Sequence, residues 1–395
     1  MHRSFGHAVL ISVFALIAAL APSARAGVVD LPRHPSISPD GSQIVFSWRG
    51  DLWKVSSDGG QSVRLTSHTA TETHSAWSPD GSHIAFNSER LGANNIFIMR
   101  ADGSGVRAVT DTDRPLTLSA FSHDGEDLLL HASMEGDVYR GSRPYRVSVS
   151  GGPITRLHDA FGHSPSMSPD GSKLAFVRGE SSSLRRHYRG PGRRNIWVQN
   201  TSTGDFSQIT EWEGNDDAPK FAGNALMLFL SDRENETVNL YAMPLGRANQ
   251  AARALTRFEG VDVHGFDVSR DGRTAVVAVW DALYTVDLTN DRAQPRKLNL
   301  TAPTDAGDDI ALKNISRDVT EAALSPDGKV MAYVAYGRIF VRSVDDNAPT
   351  RQVTRGHDRC ADIAWSPCGT TLYFSSDRDG TESIYRATVD ATRSE

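Results

Sequence analysis

The sequence predicts an all-β protein, specifically a β-propeller built from four-stranded blades. The tetrapeptide Ser-Pro-Asp-Gly recurs at residues 38–41, 78–81, 168–171 and 325–328, and altered copies occupy residues 122–125, 269–272 and 366–369. The glycines of these copies are separated by 40, 44, 46, 101, 56 and 41 residues. A repeat of roughly 40–50 residues is the period of a propeller blade, and helical periodicity is nearly absent between the copies.

Each copy of the tetrapeptide predicts a tight turn between two strands. Proline presets φ at the second turn position, aspartate bonds to the local backbone, and glycine accepts a positive φ. An apolar strand follows the turn, as at residues 44–46, and then a second strand with an aromatic residue, as at Leu52-Trp53. A glycine-rich turn and a Leu-Thr ending, as at Leu65-Thr66, complete a unit of about four short strands.

The gap of 101 residues contains a decayed copy at residues 221–224, which brings the seven listed units to eight. These eight units fill the chain. Residues 290–318 lack strand patterning, which predicts a six-bladed propeller at 27–289, a linker at 290–315 and two blades of a second, incomplete propeller at 316–395. In the alternative, all eight units close into a single eight-bladed propeller.

The first 26 residues read as a secretory signal peptide. A basic start precedes an apolar run at residues 8–20, and Ala24-Arg25-Ala26 supplies an A-x-A cleavage site. Cleavage would leave 40 basic and 48 acidic residues, a net charge of −8, which argues against nucleic acid as a partner. We therefore expect a periplasmic or secreted protein with no membrane span after cleavage, and two incidental thiols at Cys360 and Cys368.

The repeats resemble those of TolB-like propellers over nearly the whole mature chain. A narrower set of motifs resembles the tricorn protease family. They are Asp51-Leu52-Trp53, then His187-Tyr188-Arg189-Gly190-Pro191 before Asn195-Ile196-Trp197, then Leu230-Ser231-Asp232-Arg233 before Asn239-Leu240-Tyr241, and Val319-Thr320-Glu321-Ala322. This resemblance implies a six-bladed propeller followed by the start of another.

In the tricorn family the propellers precede a PDZ domain and a serine-protease core. The resemblance implies that the present chain, which stops at Glu395, is the non-catalytic propeller portion of a secreted tricorn-like serine protease that gates or filters peptide substrates. An alternative is a stand-alone TolB-like periplasmic interaction propeller with no enzymatic role. A third reading is the propeller of a prolyl-oligopeptidase-like enzyme. Peptides or a protein partner are the expected ligands, and a homo-oligomer is compatible with each reading.

No catalytic, metal or cofactor motif emerges from the sequence. Residues 162–166, Gly-His-Ser-Pro-Ser, lack the final glycine of a nucleophile elbow and match the repeat at residues 73–76. Zinc, Walker and dinucleotide signatures are missing. The chain is therefore expected to be non-catalytic and to need no cofactor or metal.

Four histidines occupy equivalent places in different blades. His34, His74, His163 and His264 each precede the aspartate position of the turn by six or seven residues, near the start of the innermost strand. They are candidates for facing the central channel, where they would bind a metal or respond to pH. The alternative is that each histidine forms a structural hydrogen bond within its own blade.

A basic segment at residues 181–194 is the second candidate site. It carries Arg185, Arg186, His187, Arg189, Arg193 and Arg194. Guanidinium groups bind carboxylates in a bidentate manner, so the segment would recognise a peptide carboxylate or an acidic partner. Contact with another protein surface and a solvated loop are the other readings.

Overall fold

The computed structural model describes residues 26–136, 141–181, 188–246, 251–290, 292, 294–303, 317–345, 349–354 and 358–388. The chain divides into two compact units, Met1–Ala306 (unit 1) and Gly307–Glu395 (unit 2). Every regular element in these ranges is a β-strand, which confirms the all-β propeller prediction. The described residues include no helix long and apolar enough to cross a membrane.

The strands are short and follow one another closely. In unit 1 they are β1 Ala26–Val28, β2 Arg33–Ile37, β3 Gln43–Trp48, β4 Asp51–Ser56, β5 Gly60–Gln61, β6 Val63–Arg64, β7 Glu72–Trp77, β8 His83–Leu91, β9 Ala93–Arg100, β10 Arg107–Ala108, β11 Thr117–Phe121, β12 Asp127–Ala132, β13 Arg143–Ser148, β14 Thr155–Arg156, β15 His163–Met167, β16 Lys173–Arg178, β17 Asn195–Asn200, β18 Phe206–Gln208, β19 Asp216–Ala222, β20 Leu226–Glu234, β21 Thr237–Pro244, β22 Arg253–Ala254, β23 Val263–Val268, β24 Thr274–Val279, β25 Ala282–Asp287, β26 Arg296–Lys297 and β27 Leu300–Pro303. In unit 2 they are β28 Val319–Leu324, β29 Val330–Ala335, β30 Arg338–Ser343, β31 Arg351–Gln352, β32 Cys360–Trp365, β33 Thr371–Ser376 and β34 Ser383–Thr388.

Unit 1 contains four-stranded antiparallel sheets whose strands pair in chain order. They are sheet 1 (β2-β3-β4-β6), sheet 2 (β7-β8-β9-β10), sheet 3 (β11-β12-β13-β14), sheet 4 (β15-β16-β17-β18), sheet 5 (β19-β20-β21-β22) and sheet 6 (β23-β24-β25-β26). The first strand of each sheet contacts the first strand of the next, and β2 contacts β23. The sheets therefore form a closed ring around their first strands.

The hydrophobic core lies between the faces of neighbouring sheets. Phe46, Phe86, Phe176 and Phe229 occupy equivalent places on the second strands and are fully buried. Both faces of a second strand are covered, so it is apolar without alternation, as in residues 128–130. Packing between sheets explains why these strands read as continuous apolar runs.

The repeated tetrapeptides form the predicted turns through one hydrogen-bond network. In sheet 2, the Ser78 hydroxyl donates to Asp80 Oδ1 over 2.6 Å and accepts the backbone N–H of His83 over 2.9 Å. Gly81 takes a φ of 74°. Hydrogen bonds from Ser78 and then Ser82 lower the pKa of Asp80 to about 2. The same residues recur because each turn needs the same donors and acceptors.

A three-stranded sheet joins the two ends of the ring. Strand β27 pairs with β1 in antiparallel fashion and with β5 in parallel fashion. Leu298 and Leu300 are buried in a cluster with Trp48 and Trp53 of sheet 1. We call residues 298–303 the clasp, because they continue from sheet 6 and pack on sheet 1.

The predicted linker at 290–315 is therefore wrong for residues 296–303, which carry β26 and β27. The apolar alternation of Leu298, Leu300 and Ala302 is too short to stand out in the sequence. Residues 300–303 form a strand because β1 and β5, which lie near the start of the described chain, pair with them. The sequence around residue 300 does not show these distant partners.

Unit 2 repeats the same local pattern. It contains a four-stranded sheet, β28 to β31, and a three-stranded sheet, β32 to β34, whose first strands contact each other. Cys360 is buried, Cys368 is exposed, and both are free thiols, as the sequence predicts.

Candidate functional site

The first strands of the ring carry β-bulges that change the direction of their side chains. The register shifts after Arg33 in β2, Thr73 in β7, His163 in β15 and Asp217 in β19. The residue that follows each of these has a positive φ, between 48° and 54°, a conformation that residues with a Cβ rarely adopt. Bulges of this kind re-aim side chains beside functional sites.

The first strands of all six sheets surround a cavity of about 480 Å³, which we call the axial cavity. Its lining includes all four histidines singled out from the sequence: His34, His74, His163 and His264. They come together because equivalent positions of the repeat meet at the ring axis.

A fifth histidine, His131, also lines the axial cavity. It belongs to β12, the second strand of sheet 3, so the spacing that finds the other four does not find it. The backbone N–H of Ser164 donates to His131 Nδ1 over 3.3 Å, which makes this nitrogen an acceptor and the imidazole neutral. The only sequence signal is a polar residue that interrupts the apolar run of β12.

Burial keeps four of the cavity histidines, His34, His74, His131 and His163, uncharged at neutral pH. The rings of His34 and His74 have centroids 3.9 Å apart. Burial, and then the neighbouring His34, His131 and Lys220, lower the pKa of His74 to about 3. Burial and the adjacent His163 lower the pKa of His131 to about 3, against the opposing effect of Asp217. Burial also lowers the pKa values of His34 and His163.

The charged side chains near the cavity are paired across sheets. Arg194, which precedes strand β17 of sheet 4, forms an ion pair with Asp217 of sheet 5. Lys220 Nζ lies 2.8 Å from Asp267 Oδ1 of sheet 6, and Asp267 Oδ2 accepts the Ile37 N–H of sheet 1 over 2.9 Å. Burial would raise the pKa of Asp217, but His163 and Arg194 lower it overall. The cavity wall is thus rich in polar groups with compensated charge.

The structure separates the members of the basic segment. Arg194 lines the axial cavity, whereas Arg189 lies 3.2 Å from Glu213 and 5.9 Å from the centre of the Trp212 ring. The Arg193 backbone N–H donates to the Gly190 carbonyl over 3.1 Å. Arg185, Arg186 and His187 lie outside the described residues. Sequence alone does not single out Arg194, whose place depends on the pairing of β16 with β17.

The serine, histidine and aspartate of the cavity do not form a catalytic triad. Ser164 Oγ lies 3.0 Å from His163 Nδ1, and Asp217 Oδ1 lies 3.8 Å from the same nitrogen. In a triad, serine and aspartate contact different ring nitrogens. Within the described ranges, no group of three or more His, Cys, Asp or Glu side chains is arranged to hold a metal ion. What the cavity offers is a set of hydrogen-bond donors and acceptors.

The opposite end of the ring, formed by the repeated turns, is crossed by Arg270. Its guanidinium donates to the His123 carbonyl over 3.0 Å, and its backbone N–H donates to the Pro39 carbonyl over 3.1 Å. His123 belongs to the turn of sheet 3, which lies opposite sheet 6 in the ring. The Arg270 side chain therefore crosses the axis at the turn end.

A closed ring of four-stranded sheets around an axial cavity defines the class as a β-propeller. Residues 29–292 match the family described as the tricorn protease N-terminal beta propeller domain. The match covers more than half of the chain, so the chain belongs to this family. The match also confirms the resemblance found in the sequence.

The tricorn protease relatives are much longer than the chain. It is 26% identical over 265 residues to tricorn protease homolog 1 of Streptomyces coelicolor, covering 66% of this chain and 24% of that protein. It is 27% identical over 336 residues to putative tricorn protease homolog 2 of the same organism, covering 80% and 27%. A crystal structure of the tricorn protease superposes with a TM-score of 0.64 at 17% identity, covering 91% of this chain and 35% of that one. The chain thus spans about a quarter of these curated relatives' length.

Proposed function

We propose that this chain is the non-catalytic propeller portion of a secreted tricorn-like serine protease, and that its axial cavity admits and sorts peptides. Family membership over residues 29–292 supports the proposal that the chain is part of a tricorn-like protease. The observation that carries the role is the cavity, which is enclosed by the first strands of all six sheets. The signal-peptide pattern of residues 1–26 supports export to the periplasm or the exterior.

The lining of the cavity suits the main chain of a peptide. Its volume of about 480 Å³ falls within the range of sites that hold small ligands. Neutral imidazoles and serine hydroxyls both donate and accept hydrogen bonds, as the amide groups of a peptide require. Because Arg194 and Lys220 are already paired with carboxylates, the cavity does not strongly favour peptides of either charge. Such a site accepts peptides of varied sequence, as a filter must.

A second candidate is a stand-alone interaction propeller that binds one protein partner. The observation in its favour is Arg270, which crosses the axis at the turn end and so opposes passage through the ring. A cavity reached from one end suits the binding of a partner segment. In the first proposal, Arg270 would have to move for a peptide to pass.

Peptide binding to the purified full chain tests both candidates. We expect fluorescent peptides of random sequence to bind. Ser75→Phe places a large side chain in the axial cavity and is expected to weaken this binding at least about tenfold. Ser150→Phe places the same side chain on an outer turn of sheet 3 and serves as the control. Affinities that vary little across a random peptide library, or that depend on one position only, support the filter, whereas enrichment of a motif with several defined positions supports the interaction propeller. Failure of every peptide to bind overturns the filter.

The same peptides test the absence of catalysis. We expect mass spectrometry to recover them intact after long incubation. Hydrolysis that a serine-directed reagent abolishes would contradict the assignment of a non-catalytic chain.

A further inference from the structure

Trp280 occupies an unusual position for a large aromatic residue. It stands at the tip of the hairpin between β24 and β25, is 58% exposed and has a φ of 21°. Arg49 and Asn235 hold the equivalent hairpin tips of sheets 1 and 5, also at positive φ. Glycine and asparagine are the residues these turn positions favour. Because Arg49 is also a large, exposed residue at positive φ, the backbone conformation alone assigns no function, and the case for Trp280 rests on where its indole lies.

Contacts hold the indole at the rim of the axial cavity. The Arg33 guanidinium donates to the Trp280 carbonyl and lies 5.9 Å from the ring centre. The indole is 6.1 Å from the ring of His264. His264 lines the cavity, as does His34, the neighbour of Arg33. The exposed ring is therefore fixed beside the cavity entrance by residues of sheets 1 and 6.

We propose that Trp280 is a specificity-determining residue that binds an apolar side chain, aromatic by preference, of a peptide whose main chain enters the axial cavity. The ligand class rests on the proposed function; the new element is the side-chain preference. The polar groups of the cavity lining satisfy the main chain, whereas the indole supplies a large apolar face beside the cavity. Tryptophan is enriched among the residues that carry most of the energy of a binding interface, because its ring removes a large apolar area from water when it is covered.

Binding of capped peptides to the full chain tests this proposal. The probes are alanine-rich peptides, acetylated and amidated to remove terminal charges, that carry either phenylalanine or alanine at one scanned position. We expect the phenylalanine peptide to bind wild type about tenfold more tightly than the alanine peptide. In Trp280→Ala this preference falls to about twofold or less, and Trp280→Phe retains most of it. Tyr336→Ala is the matched control, because Tyr336 holds the equivalent hairpin tip in unit 2, is 54% exposed and has a φ of 52°.

The outcomes separate this inference from the proposed function. If neither peptide binds wild type, the proposed function itself fails. If both peptides bind wild type equally, or if Trp280→Ala keeps the full preference, the role of Trp280 is overturned while peptide binding stands. A loss of preference in Tyr336→Ala as well would show a general effect of removing a hairpin aromatic and would also overturn it.

Discussion

Lowering the pH from about 7.5 to about 5 is expected to destabilise unit 1 through His74 and His131. Both have pKa values of about 3 in the folded protein, against an ordinary value of 6.5. At about pH 5 the unfolded chain protonates both side chains and the folded chain protonates neither. Each histidine then lowers the free energy of unfolding by about 2 kcal/mol, or about 4 kcal/mol together.

The direction of this effect follows from which state takes up protons first. Above pH 6.5 neither state binds the protons, so stability is fully present. As the pH falls below 6.5, the unfolded state binds protons and the folded state does not, so stability declines steadily towards about pH 3. A loss of about 4 kcal/mol is a large part of the roughly 5–15 kcal/mol that holds a typical protein folded.

Urea unfolding followed by circular dichroism at the two pH values measures the effect. His74→Asn removes one ionisation, and asparagine tolerates the φ of 50° at this position. His131→Asn places Oδ1 near the position of Nδ1, which accepts the Ser164 N–H. His68→Asn replaces an exposed histidine and is the surface control.

The comparison between variants isolates one titration at a time. Between the two pH values, each of the two cavity variants should lose about 2 kcal/mol less stability than wild type, and His68→Asn should lose the same as wild type. If His74→Asn and His131→Asn lose as much as wild type, these imidazoles are not neutralised by burial, and the reasoning is refuted.

Two further predictions concern the framework. Leu300→Ala in the clasp is expected to cost about 2–5 kcal/mol in urea unfolding, because Leu300 is buried against sheet 1; a cost below about 0.5 kcal/mol would show that the clasp does not hold the ring closed. Arg90→Met is expected to cost about 3–5 kcal/mol, because it leaves the fully buried Glu72 without its cation. Adding Glu72→Leu should recover most of that loss, and no recovery would contradict a charge effect.

The turns and strands could be predicted because they depend on local chemistry. The Ser78 and Asp80 hydrogen bonds close within five residues of chain, so the tetrapeptide alone indicates the turn. The four equivalent histidines could also be placed near the axis, because the same repeat position falls on the first strand of each sheet. Because the unit repeats, residues at the same position of different units come together at the ring axis.

Other features depend on contacts that the sequence does not display. His131 reaches the cavity from a second strand, and Arg270 meets His123 across 147 residues. The clasp pairs β27 with β1 and with β5, which lies about 240 residues earlier. None of these has a local signature, because each arises only when the ring closes.

The turn residues recur from unit to unit, whereas the residues that line the axial cavity differ. This difference makes the cavity wall asymmetric. The serine and aspartate of each turn are needed to form the turn, so they recur, whereas the bulge residues are free to differ. The rings of His34 and His74 contact each other across sheets 1 and 2, while the ion pairs of Arg194 and Lys220 lie across sheets 4, 5 and 6. Holding a non-glycine residue at each bulge costs roughly 1–2 kcal/mol, which the packing of the core offsets. If the axial cavity binds peptides as proposed, this asymmetric wall presents different groups to different sides of the peptide and so favours one rotation of the peptide about the ring axis.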